Sequence, residues 1–153
     1  MRFLRLMAWL LSVGVFPAQS QMMTQSLKVL VLDALDGTPQ SGVQVHYFCT
    51  GKPNSVPPGS ALTDKKGLAD VPYSCSNGED IELWTSAPKG KEQCGDLPPF
   101  TFNEITSQGV VSKPDAGGGI WCPTKVSQNL KPVPGQVTVF VKKPTWWQSH
   151  VAG

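Results

Sequence analysis

A chain of 153 residues with 13 lysines and arginines against 11 aspartates and glutamates is the size of one domain and carries a formal charge of only +2. Two of the cations, Arg2 and Arg5, stand at the extreme N-terminus, so the rest of the chain balances 11 against 11. It lacks the basic excess that a nucleic-acid binder concentrates on one face.

Arg2 and Arg5 precede the apolar run Leu6–Phe16, and Ala18 and Ser20 place small side chains three and one before a cut ahead of Gln21. A basic start, a run of about ten apolar residues and a small-residue exit form a secretory signal peptide. The run falls short of the roughly 20 residues that cross a bilayer, and Pro17 interrupts its exit. The expected organisation is therefore a signal peptide over 1–20 and one exported domain over 21–153. That domain is expected to be secreted or periplasmic, without stable membrane insertion after cleavage.

Proline (14) and glycine (15) are scattered between short β-branched runs, which suits a sandwich better than a helical bundle. Leu27–Asp33 reads as the first strand, with Leu27, Val29 and Val31 on one face and a second face, Leu30 and Leu32, that is also apolar. Asp36-Gly37-Thr38-Pro39 makes a turn. Gly42–Cys49 follows, with Val43, Val45 and Tyr47 opposite Gln44, His46 and Phe48. Ala61–Thr63 and Gly67–Val71 read as two strands of a hairpin joined at Asp64–Gly67. Asp80–Thr85 alternates Ile81 and Leu83 against Glu82 and Trp84.

Residues 87–119 then read as a long irregular insertion, rich in proline and ending in Gly117-Gly118-Gly119. Within it, Phe100–Ile105 and Gly109–Ser112 are expected as edge strands or a hairpin. Gly135–Lys142 is the clearest strand, with Val137, Val139 and Val141 on one face. Residues 144–153 are expected as a flexible tail with at most one helical turn near Thr145–His150. No helix is required elsewhere. The fold class is all-β, a single sandwich of about seven strands.

Cys49, Cys75, Cys94 and Cys122 all follow the signal. In an exported chain four cysteines imply two disulfides before a metal site. Three pairings are possible and the sequence does not choose among them. The sequential one, Cys49–Cys75 and Cys94–Cys122, is preferred; each bridge then closes a loop worth about 3 kcal/mol. No Cys-x-x-Cys or His-x-x-x-His spacing supports zinc.

Val29-Leu30-Val31-Leu32-Asp33-Ala34-Leu35-Asp36-Gly37-Thr38-Pro39, continuing Gly42-Val43-Gln44-Val45 and later Thr63-Asp64-Lys65-Lys66-Gly67, resembles the opening of transthyretin-like sandwiches. These include transthyretin, the hydroxyisourate hydrolases and carboxypeptidase regulatory-like domains. The segment from Pro134 to Trp147 is similar to the tail of secreted bacterial proteins with such a regulatory-like domain. The resemblance implies an Ig-like, prealbumin-like sandwich. It does not carry the hydrolase activity. Leu30 stands where that family has its catalytic histidine, Leu68 where it has its arginine, and the terminal Tyr-Arg-Gly-Ser is replaced by His150-Val151-Ala152-Gly153.

His46, His150, Tyr47 and Tyr73 match the ligand types of the intradiol dioxygenases, but His46 and Tyr47 are adjacent on a strand and point to opposite faces. Neither a metal nor a cofactor is expected, and with the cysteines oxidised no thiolate nucleophile remains. Glu79, Asp80 and Glu82 read as a solvated face, since their spacing does not match a calcium loop. The residues left to do work are Trp84, Trp121, Trp146 and Trp147, candidates for stacking on sugar rings or docking a protein. Trp84 and Trp121 are expected to pack under the long loop, leaving the tail pair exposed at a protein or membrane surface. The expected function is non-enzymatic: a binding or structural module whose partner is an envelope protein or a carbohydrate. The alternatives are a small-molecule carrier, or an enzyme with an unrecognised site in residues 87–119.

Overall fold

The computed structural model describes residues 25–50, 59–73, 75, 78–95, 97–115 and 120–151; the signal peptide expected over 1–20 lies outside them. Among the described residues nine strands are formed: β1 (Gln25–Asp33), β2 (Gln44–Cys49), β3 (Gly59–Leu62), β4 (Leu68–Tyr73), β5 (Asp80–Ser86), β6 (Glu92–Gln93), β7 (Phe100–Thr101), β8 (Val110–Val111) and β9 (Gln136–Lys142). Three short helices accompany them: α1 (Phe102–Gln108), α2 (Lys125–Asn129) and α3 (Trp146–Val151). The chain is all-β at this level. It has more and shorter strands than the seven expected, because the irregular insertion itself contributes β6, β7 and β8.

One sheet runs β4-β1-β9-β6, with β8 also beside β9; the other runs β3-β2-β5-β7. The first and last strands lie parallel, Val29 level with Val137 and Val31 with Val139. Period-two alternation then aims Leu27, Val29, Val31, Val137, Val139 and Val141 at Val43, Val45, Tyr47, Ile81 and Leu83 of the second sheet. The sheets share this core, in which most side chains are wholly buried.

The turn Asp64–Gly67 departs from expectation. Its local bonds are those of a tight turn, with the Asp64 amide donating to Leu68 O (2.8 Å) and the Gly67 amide to Asp64 O (3.0 Å). Its flanks do not form a hairpin, however: β3 pairs with β2 and β4 pairs with β1. The turn is a corner that carries the chain from one sheet to the other. Gly67 is needed there, at φ +73°, because a Cβ would stand 2.7 Å from the carbonyl oxygen of Val31.

A second correction concerns Phe100–Ile105. Only Phe100 and Thr101 are extended; the chain then turns into α1. Thr101 and Glu104 form a reciprocal capping box, and Phe102 and Ile105, three apart, turn toward the core. The alternation of aromatic and polar residues imitates a strand, but the Thr-x-x-Glu cap and the helical spacing decide locally.

The apolar outer face of the first sheet is covered. Leu32, Ala34 and Phe140 pack against Cys94, Ile120 and Cys122, with Leu30, Val111 and Val126 at the margin. Cys94 and residues 120–126 therefore cover this face, and this is why β9 is buried on both faces from Val137 onward. Both disulfides join the expected partners, Cys49–Cys75 and Cys94–Cys122. The first ties the end of β2 to the residues after β4, sheet to sheet. The second closes the covering layer. Lys91 fastens the layer's start to β1 and the following turn, with Nζ 2.6 Å from Asp33 Oδ2 and 2.8 Å from Gln40 Oε1.

In that turn Asp36 Oδ1 accepts from the Thr38 amide (2.9 Å) and hydroxyl (2.8 Å). The amide first, and then the hydroxyl, hold its carboxyl below the usual 3.8. A group whose folded value is depressed adds stability above its unfolded value and loses it as pH falls through the folded one. Asp36→Ala is therefore expected to lower the melting temperature slightly at neutral pH, and by less as the pH falls beneath the usual 3.8. An equal loss above and beneath that value, in paired thermal melts, would contradict this origin.

Candidate functional site

Alternation puts the inward residues of β2 and β5 in the core and leaves Gln44, His46 and Phe48 facing outward with Glu82, Trp84 and Ser86. The antiparallel register sets His46 against Trp84 and Phe48 against Glu82. The His46 and Trp84 rings stack, with centroids 5.1 Å apart and planes 7° from parallel. Phe48 approaches the same indole at 5.4 Å and 58°. Cross-strand aromatic pairs of this kind hold one another in place. Trp84 is 38% exposed rather than packed under the long loop, a reversal of expectation. Of the long loop, Cys94 and Val111 go to the other sheet, where Leu30, Leu32 and Phe140 supply an apolar face, while Leu97-Pro98-Pro99 stand beside the edge of β5.

β7 pairs with β5 only at Asp80 and Ile81. Beyond that point a groove of about 600 Å³ opens beside β5, lined by Phe48, Glu82, Trp84 and Gln93 and walled by Leu97-Pro98-Pro99. Gln93 Oε1 is buried with no hydrogen-bond partner among the described residues. The site thus offers ring faces and a carboxylate, with the Gln93 side chain in its wall and Oε1 buried behind it. Those groups suit a ligand with both apolar C–H faces and hydroxyl donors. Sequence alone identified Trp84. His46, Phe48, Glu82 and Gln93 were missed as a group, although the outward parity of His46 and Phe48 was the available signal.

The other tryptophans gather elsewhere. Trp121 is 64% exposed, also against expectation, and Trp146 and Trp147 are 63% and 71% exposed. Trp146 and Trp147 meet edge to face at 4.8 Å. Thr145 and Gln148 bond reciprocally across the first turn of α3. Gln148 Nε2 also donates to the Trp121 carbonyl at 2.7 Å, and Lys142 Nζ reaches the same oxygen at 3.4 Å. Within the tail, at the helical turn expected near Thr145–His150, α3 forms and Gln148 fastens it to the segment that carries Trp121.

His46 Nε2 lies 3.5 Å from Ser86 Oγ, a long contact on an exposed strand. No carboxylate orients the imidazole among the described residues, so the pair lacks the third member of a nucleophilic triad. Tyr47 is 2% exposed, in the core and on the face opposite His46; the side chains of Tyr73 and His150 lie outside the described set. Cys49, Cys75 and Glu79 come within ligand distance of one another, but the two sulfurs are bonded together. A smaller depression of about 250 Å³ over residues 111–132 is lined by Ser112, Lys113, Asp115, Thr124 and Gln128, with no histidine to serve as base. Among the described residues no helix is long and apolar enough to cross a membrane. No protein family, no curated protein and no solved structure matches this chain.

Proposed function

We propose that this chain is an exported, non-catalytic binding module, a sandwich of the transthyretin-like or carboxypeptidase regulatory-like kind, that takes carbohydrate on the outer face of its second sheet. The observation that carries the reading is the stacked His46–Trp84 pair, with Phe48 beside it, opening onto a groove whose polar groups are Glu82 and Gln93. A pyranose presents one apolar face to an indole and its hydroxyls to a carboxylate; ring stacking and hydrogen bonding then act on different parts of one ligand. Among the described residues the core between the sheets is a cluster of buried side chains, and the depressions beside β5 and over residues 111–132 are open to solvent. This favours a surface ligand over a carrier's enclosed apolar one. The order of strand, Asp36-Gly37-Thr38-Pro39 turn and Gly42-Val43-Gln44-Val45 strand supports the family resemblance. Two disulfides in a chain with a signal-like N-terminus support an oxidising compartment, secreted or periplasmic.

Binding to an array of soluble glycans, followed by titration of the best ligand, tests the proposal. Trp84→Ala is expected to weaken that ligand at least about tenfold, since a central indole of a binding site carries this much. The melting temperature should change little, because the ring is part-exposed. Glu82→Gln should weaken binding less. No retained glycan, or equal binding by the Trp84 variant, would refute carbohydrate recognition at this face.

A further inference from the structure

We infer that the sugar taken by this groove is a cationic one, an amino sugar whose ammonium meets Glu82 while its ring lies on Trp84; the inference rests on the carbohydrate reading above and narrows it. Several carboxylates of the chain are engaged within it. Asp33 receives Lys91, Asp36 and Asp64 accept from amides of their own turns, and Glu104 caps α1. Asp70, Asp80, Glu92 and Asp115 have no such partner among the described residues, and they stand exposed in water. Glu82 differs from both groups. It is half-buried and lines the groove, yet it accepts no hydrogen bond and meets no cation among the described residues. A carboxylate drawn partly out of water without a partner is destabilised, and a bound cation offsets that loss.

The register of the sheet supplies the rest of the cation's surroundings. Phe48 stands opposite Glu82, and Trp84 lies two positions along the same outward face, about 7 Å on. The outward positions of β2, β3, β5 and β7 hold Asp80 and Glu82, one histidine, and no lysine or arginine. That histidine, His46, covers one face of the indole, so a ligand meets Trp84 from the other side. An ammonium beside Glu82 gains a charge-assisted hydrogen bond, and the faces of Phe48 and Trp84 attract the same charge. In an amino sugar the ammonium is fixed directly to the pyranose. One rigid unit then stacks on Trp84 and pairs with Glu82. A lysine side chain brings its charge on a flexible stem, loses that freedom on binding, and offers the indole no ring. A neutral sugar leaves Glu82 with hydroxyl donors alone.

Calorimetric titration of the full chain with trimers of glucosamine, N-acetylglucosamine and glucose tests the inference, in a mildly acidic buffer that keeps the amine charged. Trilysine is the fourth probe. Wild-type protein should bind the glucosamine trimer about fivefold more tightly than the N-acetylglucosamine trimer, and added salt should shrink that difference. Glu82→Gln should remove the difference and leave the N-acetylglucosamine trimer nearly unaffected, which also shows that the variant is folded. Asp70→Asn, at an exposed carboxylate of the first sheet, should keep the difference. Trp84→Ala should weaken every sugar trimer. Equal affinity of the wild type for amino and neutral trimers would overturn the inference and leave the carbohydrate reading standing. No binding of any trimer would overturn it too, and the glycan array then decides the broader reading separately. A preference that survives Glu82→Gln, or trilysine held as tightly as the glucosamine trimer, would equally overturn it.

Discussion

Replacing Cys94 and Cys122 together by alanine should cost at least about 3 kcal/mol and lower the melting temperature by on the order of 10 °C. The bridge closes a loop 28 residues apart in sequence, and the chain-entropy account assigns that loop about 3 kcal/mol. The Cys49–Cys75 loop, separated by 26, has nearly the same entropic weight. The two bridges differ in their surroundings. Cys94 and Cys122 are wholly buried among Leu32, Ala34, Ile120 and Phe140, whereas Cys49 and Cys75 are part-exposed at the edge of the main core. Loss of the inner bridge therefore also loosens the layer that covers β1 and β9. Cys94→Ala/Cys122→Ala should be the more destabilised of the two double variants in denaturant titration. Hydrogen exchange should accelerate at Ile120, Cys122 and the outer face of β9 before it does at Val45 or Ile81. Equal losses from both pairs would mean that the covering layer contributes nothing beyond loop closure.

Gly109→Ala should be among the most damaging single substitutions, at about 3 kcal/mol or more. Gly109 ends α1 at φ 76° and ψ 167°, a region that a residue with a Cβ avoids, and its amide donates to Glu104 O and Ile105 O. A Cβ there would stand 2.1 Å from the carbonyl oxygen of Val133 and 2.7 Å from its nitrogen. Both atoms are backbone, so no rotamer change relieves the overlap. Val133 leads directly into β9, and the Gly135 amide donates to Ile105 O at 2.7 Å, so separating these segments detaches α1 from the last strand. Gly135→Ala is the control. It has positive φ (+81°) but nothing within 4 Å of its Cβ position, and should cost only about 1 kcal/mol. Equal midpoints for the two variants in denaturant unfolding would reject the close approach at Gly109.

Much of the first sheet and of the inner core was legible because alternation is a local property. Val29 and Val31, Val43 and Val45, Ile81 and Leu83, and Val137 and Val139 announce their buried face within a few residues of chain. The outward position of Trp84 followed from the same parity. The covering layer was signalled only halfway. Leu30 and Leu32 showed that the outer face of β1 was apolar, but what covers it lies about ninety residues on, in a segment without strong periodicity. α1 was misread because Phe100, Phe102 and Glu104 alternate like a strand, while the cap between Thr101 and Glu104 is a two-residue signal easily outweighed.

The sequence by itself determined an all-β chain, its main strands, which face of each is buried, and a set of cysteines that form two bridges. Each follows from residue type and spacing along a short stretch. Tertiary structure alone decided that the Asp64–Gly67 turn crosses between sheets, that Cys94, Ile120, Cys122 and Val126 cover the outer face of β1 and β9, and that Trp84 stands apart from Trp121, whose carbonyl is held by the helix of Trp146 and Trp147. Those outcomes depend on which distant surfaces bury the most apolar area against one another, and local spacing carries no record of that choice.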